Sequence, residues 1–222
     1  GIGLEFSAGE GPVLHNPVRT AADVDRLLEL ETIEPLSFVM ETVRKTRAGL
    51  PETLPLIGFA GAPFTLAAYA IEGGSSREYR HTKTLMYTDT GAWDALMGRM
   101  ARAVTLYLNA QIKAGVQVVQ LFDSWVGCLG ADDYRRYVLP HTRSVIEGLL
   151  RCEETGTGAE PSRATAEKSA SGEVPVPLSS DVPVIHFATG NPALLPLLGE
   201  AFGKKKRDAI VGVDWRIRLD DA

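Results

Sequence analysis

Apolar runs and helical repeats alternate along the central part of the chain. Four short runs rich in apolar and β-branched residues predict buried strands. The predicted strands are Leu54–Phe59, Val116–Phe122, Val182–Phe187 and Ala209–Val213. Between the first two, apolar residues recur every three or four positions from Trp93 to Ile112, which predicts an amphipathic helix ending at Gly115. Strands that alternate with helices indicate right-handed crossovers and a parallel sheet.

Polar residues at the expected helix starts support this division of the chain. Thr20 and either Asp89 or Thr90 are suited to cap helices, because their side-chain oxygens can accept from free backbone N–H groups. Asp132 is predicted to cap a later helix, which Pro140 should split. The long stretches between successive strands suit a barrel with elaborated loops.

The segment 153–181 departs from this pattern. It contains no aromatic residue and no Ile, and Glu, Ser, Thr, Ala, Gly and Pro dominate it. Such a composition buries too little apolar surface to offset the entropy of ordering the chain. We therefore predict a disordered surface insertion between a helix and the next strand, with an ordered functional loop as the alternative.

Composition and charge exclude several classes of protein. The 222 residues are 45% hydrophobic, enough for a sizeable core, and the formal net charge of −5 gives no footprint for nucleic acid. No apolar run approaches the roughly 20 residues that cross a bilayer, and the N-terminus lacks the features of a secretory signal. We expect a cytoplasmic protein without nucleic-acid or membrane partners.

The N-terminal residues and the two cysteines lead to two further expectations. The opening residues are rich in Gly and Glu, which predicts a loop, and without an initiator Met they suggest a chain joined partway through a larger protein. The two cysteines, Cys128 and Cys152, provide neither a disulfide scaffold nor a Cys-rich metal site, so reduced thiols are expected.

The segment Gly58–Ser76, GFAGAPFTLAAYAIEGGSS, is the most informative motif. Its small residues follow a predicted strand and let the backbone approach a ligand closely. Together with QLFDSWVGCLG at Gln120–Gly130 and GVDWRI at Gly212–Ile217, in that order, it resembles the uroporphyrinogen decarboxylase family. The resemblance covers nearly the whole chain apart from the segment 153–181. It implies that residues 1–222 belong to a single (β/α)8 TIM barrel, here incomplete and covering roughly strands three to six of eight.

In parallel α/β barrels the reacting groups lie at the carboxyl ends of the strands and in the loops that follow. On pattern alone Tyr69 would be a packing residue, but the resemblance implies that it contacts substrate. Ser124 lacks the surroundings of a nucleophilic serine, and the resemblance implies that it binds a substrate carboxylate. Phe59 and Phe122 are predicted to form apolar walls against a large aromatic ligand.

Other candidate residues have simpler interpretations. Asp123 and Asp214 are expected to cap turns or to pair with an Arg or a backbone amide, while Trp125 and Trp215 are expected to pack. His186 is predicted to be a core or pocket-wall residue, and His81 and His141 to be solvated. Corrinoid-linked methyltransferases of the same barrel superfamily have a His-x-Cys zinc motif where this chain has His186 and Ala188, so the missing thiolate argues against a zinc site.

The resemblance implies an enzyme that removes carbon dioxide from the four acetate side chains of uroporphyrinogen III, giving coproporphyrinogen III. It implies no metal, no organic cofactor and a homodimer for the full-length protein. The N-terminal Arg motif, the catalytic Asp and the C-terminal His of the family have no counterpart here. The catalytic residues are therefore unassigned, and the chain alone is expected to be inactive. A corrinoid-linked methyltransferase and a non-catalytic half-barrel protein remain as alternatives.

Overall fold

The computed structural model describes residues 3–7, 11–149, 182–203 and 209–215. The predicted insertion at 153–181 and Cys152 lie outside these ranges. The strands are β1 (Leu4–Ser7), β2 (Gly11–Leu14), β3 (Ile57–Gly61), β4 (Val118–Asp123), β5 (Val184–Ala188) and β6 (Ala209–Gly212). The α-helices are α1 (Ala21–Asp25), α2 (Ser37–Gly49), α3 (Pro63–Glu72), α4 (Arg80–Thr88), α5 (Thr90–Ala114), α6 (Ala131–Tyr137), α7 (Leu139–Leu149) and α8 (Leu195–Glu200).

Strands β3 to β6 form a parallel four-stranded sheet in chain order, which confirms the predicted α/β class. The register places Gly61, Phe122, Phe187 and Gly212 side by side. Sequential parallel strands with helical crossovers are the arrangement of a (β/α)8 barrel, and the described strands make an incomplete one. None of the helices in the described ranges is long and apolar enough to cross a membrane.

Proline positions explain why two strands, β3 and β5, begin later than predicted. Leu54 belongs to a turn in which its N–H donates to the carbonyl of Pro51 at 3.0 Å, and Pro55 has no N–H to give to a ladder. Strand β3 therefore starts at Ile57, and β5 likewise starts directly after Pro183. The predicted N-terminal loop is wrong, because β1 and β2 pair as an antiparallel hairpin.

Helix ends follow the predicted chemistry with two exceptions. Thr20 forms a capping box, Asp89 accepts from the N–H of Ala92, and Gly115 ends α5 with a φ of 116°. The predicted helix is divided into α6 and α7, as Pro140 predicts. However, α6 begins at Ala131, so Asp132 lies in the first turn and does not cap the helix. The residues after Thr20, AADVDRLLEL, predict a longer helix than the five residues of α1.

The four-stranded sheet has two different faces. The covered face packs against the helices, and its buried side chains are those of Ala60, Val119, Leu121, Asp123, Val184, His186 and Ala188. The open face carries Ile57, Phe59, Val118, Gln120, Phe122, Ile185, Phe187 and Ile210, all exposed or half-buried. Successive side chains along a strand point to opposite faces, so the residues before and after a buried one lie on the open face.

Candidate functional site

The site is built on the connection from β3 to α3. Pro63 occupies the first turn of α3, where a missing N–H costs nothing. A Cβ at Gly61 would lie 2.8 Å from the side chain of Leu66, so glycine permits the chain to fold directly back into the helix. Helix α3 then ends at Gly73, which adopts a left-handed conformation with a φ of 81°. This short helix carries Tyr69 just beyond the carboxyl end of β3.

The residues after β4 bring Trp125 onto Tyr69. Their ring centroids are 3.7 Å apart and the planes differ by 27°, so the rings stack. Tyr79 contacts the same indole edge-on at 5.3 Å, although its backbone is left-handed with a φ of 52°. We call Tyr69, Trp125 and Tyr79 the aromatic trio. Left-handed backbone in a bulky residue is costly and is often found at functional sites.

Ser124 lies between β4 and Trp125, and its side chain is exposed. Its carbonyl accepts a hydrogen bond of 2.6 Å from the hydroxyl of Thr189, which follows β5. On the other side, the N–H of Trp125 donates to the hydroxyl of Thr65 at 3.3 Å. The backbone around Ser124 is therefore fixed from two neighbouring elements while its hydroxyl remains accessible.

The turns after β4 and β5 touch through glycine. A Cβ at Gly127 would lie 2.2 Å from the carbonyl oxygen of Thr189 and 2.8 Å from Cα of Gly190. Only a residue without a side chain permits this approach. The N–H of Gly190 donates to Asp214 Oδ2 at 3.0 Å, which confirms the expected pairing of Asp214 with a backbone amide. The loops at the carboxyl ends of β4, β5 and β6 thus form one connected rim.

Three phenylalanines form a row on the open face beneath this rim. The rings of Phe59 and Phe122 meet edge-on at 5.8 Å, and those of Phe122 and Phe187 at 5.7 Å. The backbone of Phe59 is held by Gln111, whose side-chain amide accepts from its N–H at 3.1 Å and donates to its carbonyl at 3.0 Å. Gly58 makes room for this side chain, because a Cβ there would lie 2.7 Å from Gln111 Oε1.

Asp123 and His186 lie on the covered face, where neither is exposed. Asp123 Oδ1 accepts from the Thr65 hydroxyl at 3.0 Å, and its Oδ2 lies 3.7 Å from His186 Nε2. That second distance is too long for a hydrogen bond, and Oδ2 has no hydrogen-bond partner among the described residues. Asp123 was predicted to cap a turn or to pair with an Arg or a backbone amide, but its carboxylate instead accepts from a threonine hydroxyl and lies near a histidine. His186 is a core residue, as predicted.

Burial raises the pKa of several groups near the site. It raises the pKa of Tyr79 to about 12 and that of the Cys128 thiol to about 11. Burial, and after it the charge of Asp123, raise the pKa of Tyr134 well above its ordinary range. A thiol or phenol in this state is a poor nucleophile, so these side chains are limited to packing and hydrogen bonding. Cys128 is a free thiol.

Two side chains differ from their predicted environments. Trp215 was expected to pack, but its side chain is 85% exposed within the described residues. His141 was expected to be solvated, but its side chain is only 17% exposed and its Nε2 lies 3.4 Å from Asp94 Oδ1. Burial lowers the pKa of His141 and outweighs the opposing effect of Asp94. His81 is exposed, as predicted.

The structure brings the predicted site residues together in two groups. Phe59 and Phe122 are in ring contact on the open face, and Tyr69 stacks on the residue that follows Ser124. Sequence reasoning assigned no role to Thr65, Tyr79 or Gln111. For Gln111 a signal existed, because a polar residue occupies the apolar stripe of a long helix; for the other two the contacts arise only in the folded chain.

Parallel strands in chain order, joined by helices, define an α/β protein that forms part of a barrel. The family model for uroporphyrinogen decarboxylase (URO-D) matches residues 1–222. The chain is 46% identical to uroporphyrinogen decarboxylase of Sorangium cellulosum over 222 residues, and 42% identical to that of Carboxydothermus hydrogenoformans. The chain belongs to the uroporphyrinogen decarboxylase family.

Two further facts qualify the comparison. Each alignment includes 100% of this chain but 54% of either relative, so the chain spans about half the length of the curated relatives it matches. Among solved structures, a methyltransferase from Methanosarcina mazei superposes with a TM-score of 0.59 at 12% identity, covering 91% of this chain and 51% of that one. At this identity the likeness shows the fold alone.

Proposed function

We propose that this chain supplies part of the substrate cavity of an enzyme that decarboxylates the four acetate side chains of uroporphyrinogen III to give coproporphyrinogen III. The observation that carries the proposal is the rim itself. Tyr69 stacks on Trp125, the residue after the exposed Ser124, and both elements follow the carboxyl ends of adjacent parallel strands.

The chemistry of these side chains suits a polycarboxylate. The hydroxyls of Tyr69 and Ser124 can each donate a hydrogen bond to a carboxylate, and bonds to charged acceptors are stronger than those between neutral groups. The row formed by Phe59, Phe122 and Phe187 offers an apolar surface to the pyrrole rings of the substrate. Binding and orientation are the tasks of this chain in the proposal.

The reaction needs an electron sink for the electron pair left when carbon dioxide departs. In the proposal the substrate supplies it, because protonation of a pyrrole carbon gives a cationic ring, and no metal or organic cofactor takes part. The described residues hold the substrate, while the groups that deliver protons are unassigned. The proposal also includes a homodimer and a cytoplasmic location for the complete protein.

The position of His186 disfavours the methyltransferase alternative. Its side chain is enclosed on the covered face and contacts the ring of Phe202 edge-on, so it faces away from the row of phenylalanines. Ala188 is on the same face and provides no thiolate. A zinc ion that activates a thiol at the open face could not use this histidine without rebuilding the strand.

The test is turnover by the product of the complete gene. The complete protein is incubated with uroporphyrinogen III under anaerobic, reducing conditions. The products are then oxidised to porphyrins and separated by their number of carboxyl groups. We expect stepwise loss of four carboxyl groups, and no turnover by residues 1–222 alone. Absence of any decarboxylated product from the complete protein would refute the proposal and would favour the non-catalytic half barrel.

A further inference from the structure

We propose that Thr65 is a positioning residue that holds Ser124 and Tyr69 in a fixed relation at the rim of the sheet. The inference rests on the proposed function in one respect, namely that Ser124 and Tyr69 contact substrate. The contacts that carry it are present in the folded chain and can be tested without substrate.

The hydroxyl of Thr65 joins the residues on both sides of Ser124. It donates its single proton to Asp123 Oδ1 at 3.0 Å, and its oxygen accepts from the N–H of Trp125 at 3.3 Å. A hydroxyl has one proton and two lone pairs, so both bonds can exist at once. Thr65 is only 6% exposed, so water does not compete well for either bond.

Thr65 and Tyr69 are four residues apart on α3 and therefore share one face of the helix. From that face, Thr65 binds the main chain of Trp125 and Tyr69 stacks on its indole. Helix α3 thus holds Trp125 at two points, one polar and one aromatic. A shift of the turn relative to the helix would break both contacts and move Ser124 away from Tyr69.

Thr65 lies in the first turn of α3, as Thr82 does in α4, and both hydroxyls donate to a carboxylate of another element. Threonines further along their helices bond differently. The hydroxyls of Thr42, Thr84, Thr88 and Thr105 donate to the carbonyl four residues earlier in their own helix. That bond is the usual local partner of a helical threonine. Thr65 instead reaches across to β4 and the turn after it.

The second anchor of the turn comes from the opposite side. Thr189 donates to the carbonyl of Ser124 at 2.6 Å, and Gly127 packs against the same loop. Ser124 is therefore clamped between Thr65 and Thr189 while its own hydroxyl is exposed. This arrangement fixes the backbone from which the hydroxyl projects, which reduces the ordering required when a ligand binds.

The test uses the complete gene product with Thr65→Val and Thr65→Ser. Valine has the shape of threonine without the hydroxyl, and serine keeps the hydroxyl. Thr142→Val is the matched control, because Thr142 is also buried but lies on α7, and no hydrogen bond joins its hydroxyl to Asp123 or Trp125 among the described residues. The readouts are hydrogen exchange of the Trp125 amide, the Trp125-dependent near-ultraviolet circular dichroism, and kcat/KM. The Trp125-dependent signal is obtained by subtracting the spectrum of Trp125→Phe.

We expect Thr65→Val to speed exchange of the Trp125 amide roughly tenfold or more and to weaken its dichroism as strongly as Tyr69→Leu does. We expect kcat/KM to fall about 10- to 100-fold, as misplaced binding groups cause. Thr65→Ser should restore all three readouts, and Thr142→Val should change none. Unaltered exchange and dichroism in Thr65→Val would overturn the inference.

Two outcomes are kept separate by this design. If the unsubstituted protein has no decarboxylase activity, the proposed function fails, while exchange and dichroism still decide the role of Thr65. If Thr65→Val does not fold, the unsubstituted protein provides the test. In it the Trp125 amide must exchange more slowly than an unprotected amide, and exchange at the unprotected rate would overturn the inference.

Discussion

The covered and open faces of the four-stranded sheet are made by the same strands but have opposite surroundings. On the covered face, Val119 and Leu121 are fully buried against the helices. On the open face, Ile57 and Ile210 are each 46% exposed, and Phe59 is 60% exposed. Apolar side chains are therefore present on both faces, yet only one face is packed by the described residues.

This difference separates stability from binding. Burial of apolar surface stabilises a fold in proportion to the area removed from water, so the covered face dominates the folding free energy of this chain. A contiguous exposed apolar patch instead marks a surface that something else covers. In the proposed function the tetrapyrrole covers the part of the open face next to the rim.

The largest expected effect is on the covered face. Leu121→Ala should lower the free energy of unfolding of the chain by about 2–5 kcal/mol, because it removes a buried side chain and leaves a cavity. Phe59→Ala, on the neighbouring strand but on the open face, should cost about 1 kcal/mol or less. Urea denaturation followed by far-ultraviolet circular dichroism measures both. Equal losses would show that the open face is packed as tightly as the covered one.

The rim should show the reverse behaviour, with large effects on catalysis and small ones on stability. In the complete gene product, Tyr69→Phe and Ser124→Ala should each lower kcat/KM by roughly 10- to 150-fold, the value of about 1.5–3 kcal/mol for a hydrogen bond to a charged group. Tyr69→Phe keeps the ring that stacks on Trp125, so the melting temperature should hardly change.

Tyr107→Phe is the control for these two variants. Tyr107 is a half-buried tyrosine on α5 that packs against the core, and it does not belong to the aromatic trio. Its substitution should therefore leave kcat/KM unchanged. Steady-state decarboxylation and thermal unfolding are measured for all three variants. Unchanged kinetics in both Tyr69→Phe and Ser124→Ala would show that these hydroxyls do not touch substrate.

The main helices could be predicted from the sequence because their signals are local. Helix α5 combines a long apolar stripe with a capping Asp89 and a terminal Gly115, and all three features are visible in the sequence. The predicted starts of β3 and β5 were too early. Pro55 and Pro183 cannot donate to a backbone ladder, so each strand begins after its proline although the apolar run begins before it. The N-terminal hairpin was missed because its pairing depends on two short strands with weak patterns.

The candidate site could be predicted only in part. Tyr69 and Ser124 came from the resemblance to a family, and no local pattern shows that Trp125 joins them. The contact of Thr65 with Trp125 depends on how α3 packs beside the turn after β4. Asp123 and His186 approach one another because they are diagonal neighbours on adjacent strands, and this requires a register that only the folded sheet defines.

A smaller effect is expected where the two rim loops touch. Gly127→Ala should cost about 1–3 kcal/mol, because the new methyl group meets the backbone of the Thr189–Gly190 loop, which has no flexible side chain that could move aside. Gly130→Ala is the matched control. A Cβ at Gly130 meets nothing within 4 Å, so the cost there should be about 0.5 kcal/mol or less.

Thermal or urea unfolding of both glycine variants gives the comparison, and turnover of the complete gene product adds a second one. Because Gly127 joins the turn that carries Ser124 to the turn after β5, its substitution should also lower kcat/KM, whereas Gly130→Ala should not. A Gly127→Ala variant as stable and as active as its control would mean that the two loops can separate freely. The rim would then not be a single rigid unit.

The smallest expected effect is a dependence of stability on pH that originates in the helices behind the covered face. Burial holds the pKa of His141 below its ordinary value of 6.5 in the folded chain. As the pH falls below about 6.5, the unfolded chain takes up a proton that the folded chain does not yet bind, so protonation favours unfolding. The stability is complete above that pH and decreases as the pH falls through the folded pKa.

His141→Gln should therefore flatten the loss of stability below about pH 6.5, by no more than about 1.4 kcal/mol for each pH unit, the limit for one proton. His81→Gln is the control, because His81 is exposed on α4, and its curve should follow that of the unsubstituted chain. The measurement is the free energy of unfolding in urea between pH 5 and pH 8. If His141→Gln and His81→Gln give the same curve, His141 is not buried in the folded chain, and the helical layer behind the sheet is looser than its packing indicates.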